Sequence, residues 1–201
     1  MEPILIVCLI IAFAATFYTI PSWIKRAKSE GLIGKDVNKK GLNEVAEAGG
    51  ITAILGFVLG ILVYIAINTF YFKSAENTIE IFSLLTTILL LSFIGMIDDV
   101  LGWKIGLGKR IRIALVLFAA IPLMVIASGN SSSLAYLLLV IPIGVAGCSI
   151  TFNFLAGMNG LEVRQGILLV SALSIASYFS GNTWIAFIGL IMIIYEIIII
   201  A

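Results

Sequence analysis

Seven stretches of this chain are apolar over roughly the length a helix needs to cross a bilayer, and no other property constrains its folding as tightly. They lie near residues 3–24, 50–72, 79–97, 111–128, 134–155, 166–181 and 183–201. The run at 166–181 is short, and with its successor it can form one broken element, so six or seven spans are expected. A soluble domain has no room for so much hydrocarbon. Of 201 residues 61% are hydrophobic and 11% charged, against about 25% charged in ordinary globular domains. The fold class expected is all-α: a polytopic membrane helix bundle, one integral-membrane domain over residues 1–201. The first run lacks a basic n-region and a small-residue cleavage site, which makes it a retained helix rather than a signal peptide. There is no histidine, so the commonest general base and metal ligand is missing. The two cysteines, Cys8 and Cys148, sit inside apolar runs as small packing residues.

The charges are partitioned. Loop 25–49 carries Lys25, Arg26, Lys28, Lys35, Lys39 and Lys40. Loop 98–112 carries Lys104, Lys109, Arg110 and Arg112, and loop 156–165 carries Arg164. The alternate loops hold only Lys73, a split of eleven against one. The positive-inside rule then puts the N-terminus outside and the three charged loops in the cytoplasm, of a prokaryotic plasma membrane or an endoplasmic reticulum. Asp36, Glu44, Glu47, Asp98, Asp99 and Glu162 fall on that same side. Anchoring needs only cations. Acids, bases, asparagines and glycines interleaved at one face suit a charged soluble ligand.

Three constellations carry the chemistry, each with a plainer alternative. "SEGLIGKDVNKKGLNEVAEAGG" (29–50) is a polar, glycine-punctuated loop. It is either a solvated topological loop or a substrate site. In the second case Lys35 and Lys39 contact phosphate, Asp36 lies between them, and Glu47 supports the mouth of the next helix. The glycine pair 49–50 would then admit close backbone approach or a tight helix start. "DDV" (98–100) either ends a span at the interface or binds something. Carboxylates at a helix C-terminus oppose the macrodipole, and two adjacent ones ionise comfortably only beside a cation. Mg²⁺ fits, because it takes few carboxylates and fills its shell with water and phosphate oxygens. The division of roles between Asp98 and Asp99 stays open at this level. "ITFNFLAGMNGLEVRQG" (150–166) is either interhelical polar glue and a turn, or a site in which Asn153 gives an oxygen to a metal while Asn159 and Glu162 hold a nucleotide. The basic run "GWKIGLGKRIR" (102–112) serves topology or offers cations to diphosphate oxygens.

In this order the pieces "GKDVNKKG…EVAEAGG", "FIGMIDDVLGWK…GK" and "FNFLAGMNGLEVRQG" resemble the polyprenyl-phosphate N-acetylhexosamine-1-phosphate transferase family. That family includes dolichyl-phosphate GlcNAc-1-phosphate transferases and, more remotely, bacterial translocase I enzymes. The resemblance runs over essentially the whole chain and implies a reaction. A sugar 1-phosphate passes from a UDP-sugar to a polyprenyl or dolichyl phosphate, UMP is released, and Mg²⁺ is the cofactor. It maps Asp98 and Asp99 onto the family's acidic pair, Asn153 onto its metal-associated asparagine, Asn159 and Glu162 onto "NGLE", and Glu47 onto the loop glutamate. The family's basic residue after the pair corresponds to Lys109 or Arg112, the spacing fitting both. The implied partners are the UDP-sugar, the lipid phosphate and the bilayer, with a homodimer as an admissible assembly and no nucleic acid.

Two departures stand out. The usual "PE" before the glycine pair is Ala46-Glu47. The family also continues beyond "IMIIYEIIIIA" into helices bearing a further metal-binding aspartate and a sugar-recognising loop, so a C-terminal truncation is expected. The competing class is an ion-coupled transporter using the aspartates as a cation site. A third reading is an inactive fragment serving as a scaffold.

Overall fold

The computed structural model describes residues 2–35, 44–46, 48–130, 133–155 and 161–200, for some of which, Lys35, Glu44, Asp99 and Asn153 among them, the backbone alone is described. Every apolar run is helical. In chain order the helices are α1 (Glu2–Ser29), α2 (Gly50–Ala66), α3 (Thr78–Ile105), α4 (Lys109–Ala119), α5 (Ile121–Asn130), α6 (Ile141–Leu155), α7 (Leu161–Phe179) and α8 (Thr183–Ile200). A π-helical turn, Ile67–Tyr71, extends α2, and another, Tyr136–Val140, leads into α6. Among the described residues, Ile4–Ser29, Gly50–Tyr71, Thr78–Asp98 and Lys109–Gly129 are long and apolar enough to cross a membrane. Tyr136–Phe152 and Thr183–Ile194 are shorter apolar stretches. This is an all-α integral membrane protein.

The polar loop between α1 and α2 carries a short ladder. Ile33–Lys35 (β1) pairs antiparallel with Glu44–Ala46 (β2), in the register Ile33↔Ala46, Gly34↔Val45, Lys35↔Glu44. The glycine pair that follows opens α2, Gly49 as its N-cap and Gly50 as its first residue. A Cβ at Gly49 or Gly50 would meet nothing within 4 Å, and the left-handed residue at this corner is Ala48, with φ 56°.

The chain divides into two compact units, Met1–Glu76 with Met158–Ala201, and Asn77–Gly157. The first is assembled through small side chains. Cys8, Ala12 and Thr16 follow one another at four-residue intervals on α1 and are all fully buried. They face Gly56 and Gly60 of α2, a GxxxG pair. A Cβ at Gly60 would lie 3.0 Å from Ala12 Cβ and 3.1 Å from Ile191 Cγ2 of α8. Lipid tails supply little hydrophobic drive between helices, so close approach at such positions is what holds membrane helices together. α7 and α8 repeat the device, Gly189 lying under Ser174. Each contacting hydroxyl is satisfied within its own helix: Thr16 Oγ1 donates to Ala12 O at 2.9 Å and Ser174 Oγ to Val170 O at 2.7 Å. Two helices of this unit stop at left-handed glycines. Gly31 (φ 74°) lets Leu32 N–H reach back to Ala27 O at 2.9 Å, and Gly181 (φ 83°) lets Asn182 N–H reach Ser177 O at 2.9 Å. Both are Schellman-type ends.

The second unit packs α3, α4 and α6 around Ile94, Val116, Ala119 and Ala146, with Leu90, Leu91, Leu107 and Val145 against them. The span containing α4 is interrupted at Ala120, two residues before Pro122, whose ring nitrogen has no hydrogen to give the ladder. Pro142 similarly follows the π-helical turn that precedes α6.

Candidate functional site

The site grows out of the core of the second unit. Asp98 stands one turn beyond Ile94 on α3, and Arg112 one turn before Val116 on α4. Residues four apart share a helix face, so both side chains continue stripes that already meet below them. Between them the chain turns back through Gly106, Leu107 and Gly108. Asp98 Oδ1 accepts the Leu107 N–H at 3.0 Å, and Oδ2 accepts a hydrogen bond from Arg112 Nη2 in an ion pair. The pair is more than two-thirds buried, with side-chain exposures of 31% for Arg112 and 23% for Asp98. Arg112 Nε is buried and has no hydrogen-bond partner among the described residues.

The expected position of the acid pair at a helix C-terminus is corrected by this geometry. The apolar span ends at Asp98, but α3 continues to Ile105. The aspartates are thus nearly two turns inside the helix, where the terminal dipole has little effect. Loop 98–112 accordingly contracts to residues 106–108 between two helices. The electrostatic conflict is at α4 instead. Lys109, Arg110 and Arg112 crowd the first turn of that helix, its positive end. The Asp98 carboxylate partly offsets them, and a phosphate would be favoured there for the same reason.

The remaining sequence candidates divide. Lys109 is exposed and has no described polar contact with Asp98, so of the two basic residues the spacing left open it is Arg112 that meets the aspartate. Asp99 follows Asp98 along α3, and Asn153 lies two turns beyond Ala146 on α6; the side chains of both are outside the described residues. Glu162 is exposed in the first turn of α7, in the other compact unit. The backbone of Lys35 is in β1, while Asp36, Lys39, Glu47 and Asn159 lie outside the described residues. Among the described residues no three of His, Cys, Asp and Glu gather as a metal site, and both Asp98 oxygens are already engaged by donors.

Two groups escaped the sequence reading. One is the Leu107 N–H, signalled only by the flanking glycines of "GLG". The other is the setting of Glu196. This acid lies within the last apolar run, "IMIIYEIIIIA". The structure buries it to 7% exposure against α7, where a Cβ on Gly166 would lie 2.8 Å from Oε1.

A family model described as glycosyl transferase family 4 matches residues 81–199, more than half of the chain. The chain belongs to glycosyl transferase family 4. The match takes in nearly all of α3 and α8 and everything between, so the Asp98–Arg112 pair, Asn153 and Glu162 all fall inside it. Among relatives of this family member, one from Saccharolobus solfataricus is 30% identical over 83% of this chain and 52% of its own length. One from Sulfolobus acidocaldarius is 26% identical over 89% of this chain and 56% of its own. A third, from Dictyostelium discoideum, is 26% identical over 80% and 45%. All three are named UDP-N-acetylglucosamine–dolichyl-phosphate N-acetylglucosaminephosphotransferase, the two archaeal ones provisionally. The chain spans about half the length of the curated relatives it matches.

Proposed function

We propose that this protein transfers N-acetylhexosamine 1-phosphate, as N-acetylglucosamine 1-phosphate, from a UDP-sugar to a polyprenyl or dolichyl phosphate. One observation carries the reading: an acid–base pair, Asp98 with Arg112, held at the end of an apolar span within a glycosyl transferase family 4 chain. A lipid phosphate lies at the membrane surface and a nucleotide sugar is soluble, so the reaction needs charged groups where a span leaves the hydrocarbon. The cytoplasm is the side that the positive-inside rule assigns to this end.

In the proposed step an oxygen of the lipid phosphate attacks the sugar-proximal phosphorus of the UDP-sugar. The P–O bond to the bridging oxygen breaks, and UMP leaves with the electron pair. Such transfers depend mostly on positioning and charge neutralisation. Arg112, with Lys109 beside it, neutralises phosphate oxygens. Lys35, Asp36, Lys39 and Glu47 bind substrate from the first polar loop, and Asn159 and Glu162 bind the nucleotide. Members of the family are in general metal-dependent. Asp99 and Asn153 would offer carboxylate and amide oxygens, the hard donors that suit Mg²⁺. The ion would supply charge neutralisation of the diphosphate. Residues 1–201 act as a single membrane domain, and a homodimer is compatible with this reading.

The test is UMP release from UDP-N-acetylglucosamine by membranes containing the full-length gene product, with polyprenyl phosphate and Mg²⁺. Release that depends on all three is expected, with a loss of at least about a hundredfold in Asp99→Asn. No release, or turnover unchanged in both Asp98→Asn and Asp99→Asn, sinks the reading. The competing ion-coupled carrier draws on one observation, the buried Glu196 in a membrane helix. It predicts cation-driven solute flux in vesicles without UMP release.

A further inference from the structure

We infer that the two adjacent aspartates do different work: Asp98 is a positioning residue that fixes Arg112 as a phosphate-binding group, leaving Asp99 as the carboxylate for the reacting groups. The inference rests on the transferase reading and deepens it. Both Asp98 oxygens are engaged, one by the Leu107 N–H and the other by the Arg112 guanidinium. A carboxylate held by a main-chain donor and a cation keeps one lone pair on each oxygen and is fixed in orientation by the other, which leaves it less free than an unengaged neighbour to turn toward a proton or a metal. The same two bonds fix what surrounds it. They close the three-residue turn between α3 and α4, and they orient a guanidinium at the first turn of α4, where an anion is favoured.

Arg112 has further capacity after Asp98 is served. A guanidinium carries five N–H donors; Nη2 is used by Asp98, while Nε is buried without a partner among the described residues. The ion pair therefore presents donors in a fixed plane, the geometry that suits phosphate oxygens. Lys109 and Arg110, both exposed, add charge nearby. The consequence is a distinct kinetic signature for Asp98. Its removal should loosen Arg112 and weaken capture of the nucleotide sugar, whereas removal of a proton acceptor would leave binding intact and stop the chemistry.

A double-mutant cycle on the full-length membrane protein tests this. Asp98→Asn, Arg112→Gln and the combined variant are compared for equilibrium binding of UDP-N-acetylglucosamine, for kcat and KM in UMP release, and for thermal unfolding. Each single change should weaken binding about tenfold, and the combined variant should bind no more weakly than Arg112→Gln alone, since contacting residues couple. The loss in Asp98→Asn should appear mainly in KM. Independent losses that multiply, or a collapse of kcat with binding unchanged, overturn the assignment. A wild-type protein that binds no UDP-sugar overturns the transferase reading instead. The unfolding arm still speaks in that case: non-additive melting temperatures support the Asp98–Arg112 pair, and additive ones overturn it.

Discussion

Gly56 of α2 sits so near Thr16 of α1 that a Cβ on the glycine would fall 2.0 Å from the threonine Oγ1 and 2.8 Å from Ala12 O. The second distance is to backbone, so rotating the threonine away relieves only part of the clash. Gly56→Ala should therefore push α1 and α2 apart and cost about 1–3 kcal/mol, the usual range for overpacking. Thermal unfolding in detergent measures it. Adding Thr16→Ala should recover part of the loss, because Oγ1 then disappears while Ala12 O remains.

Glycines of this chain should respond to substitution in opposite ways. Gly181 has φ 83° and ends α7, so Gly181→Val should destabilise by about 1–2 kcal/mol through the left-handed backbone alone. A Cβ at Gly50, the first residue of α2, meets only open space. Gly50→Ala should leave stability unchanged or raise it by up to about 1 kcal/mol. Melting temperatures of the two variants should move apart.

Arg112→Lys keeps the charge but gives up the planar fork and most of the donors. Activity should fall about tenfold, while Lys109→Ala, at an exposed position, should lose less than Arg112→Lys at low salt and still less at high salt. Rates of UMP release at low and high ionic strength separate the two. Equal losses at both positions would show that the ion pair confers nothing special on Arg112.

Glu196 and Gly166 form a size-matched contact, with the glycine leaving room for the carboxyl group. Glu196→Gln retains the shape and should shift the melting temperature little, whereas Gly166→Leu should break the α7–α8 contact with a loss of about 1–3 kcal/mol. If Glu196→Gln abolished UMP release without altering stability, the residue would belong to the chemistry rather than to packing.

The helices were legible in the residues because hydrocarbon length is a one-dimensional property: a run such as 79–97 announces a span without any knowledge of its neighbours. It does not announce where the helix stops. Hydropathy marks the end of the span at Asp98, but "VLGWKI" continues the same hydrogen-bonded ladder to Ile105. The choice between Lys109 and Arg112 was likewise beyond reach from spacing. What the structure adds is only that the α4 stripe through Val116 faces the core and brings Arg112, one turn earlier, to Asp98. The short β1–β2 ladder leaves almost no periodic trace, having three residues on each side. The burial of Glu196 depends on how α7 and α8 pair, a fact that belongs to neither segment alone.

The overrun of α3 has a bearing on depth. At a rise of about 1.5 Å per residue, the stretch from Asp98 to Ile105 extends roughly 10 Å past the point where the apolar span ends. The polar layer on either side of a bilayer's hydrocarbon core is on the order of 5–8 Å thick. Set along the bilayer normal, α3 would reach through the headgroup zone, with Asp98 where the apolar span ends. On the proposed transferase reading, a phosphate carried on a lipid tail would reach that level without being lifted from the membrane, and a water-soluble nucleotide sugar would have to come down to meet it.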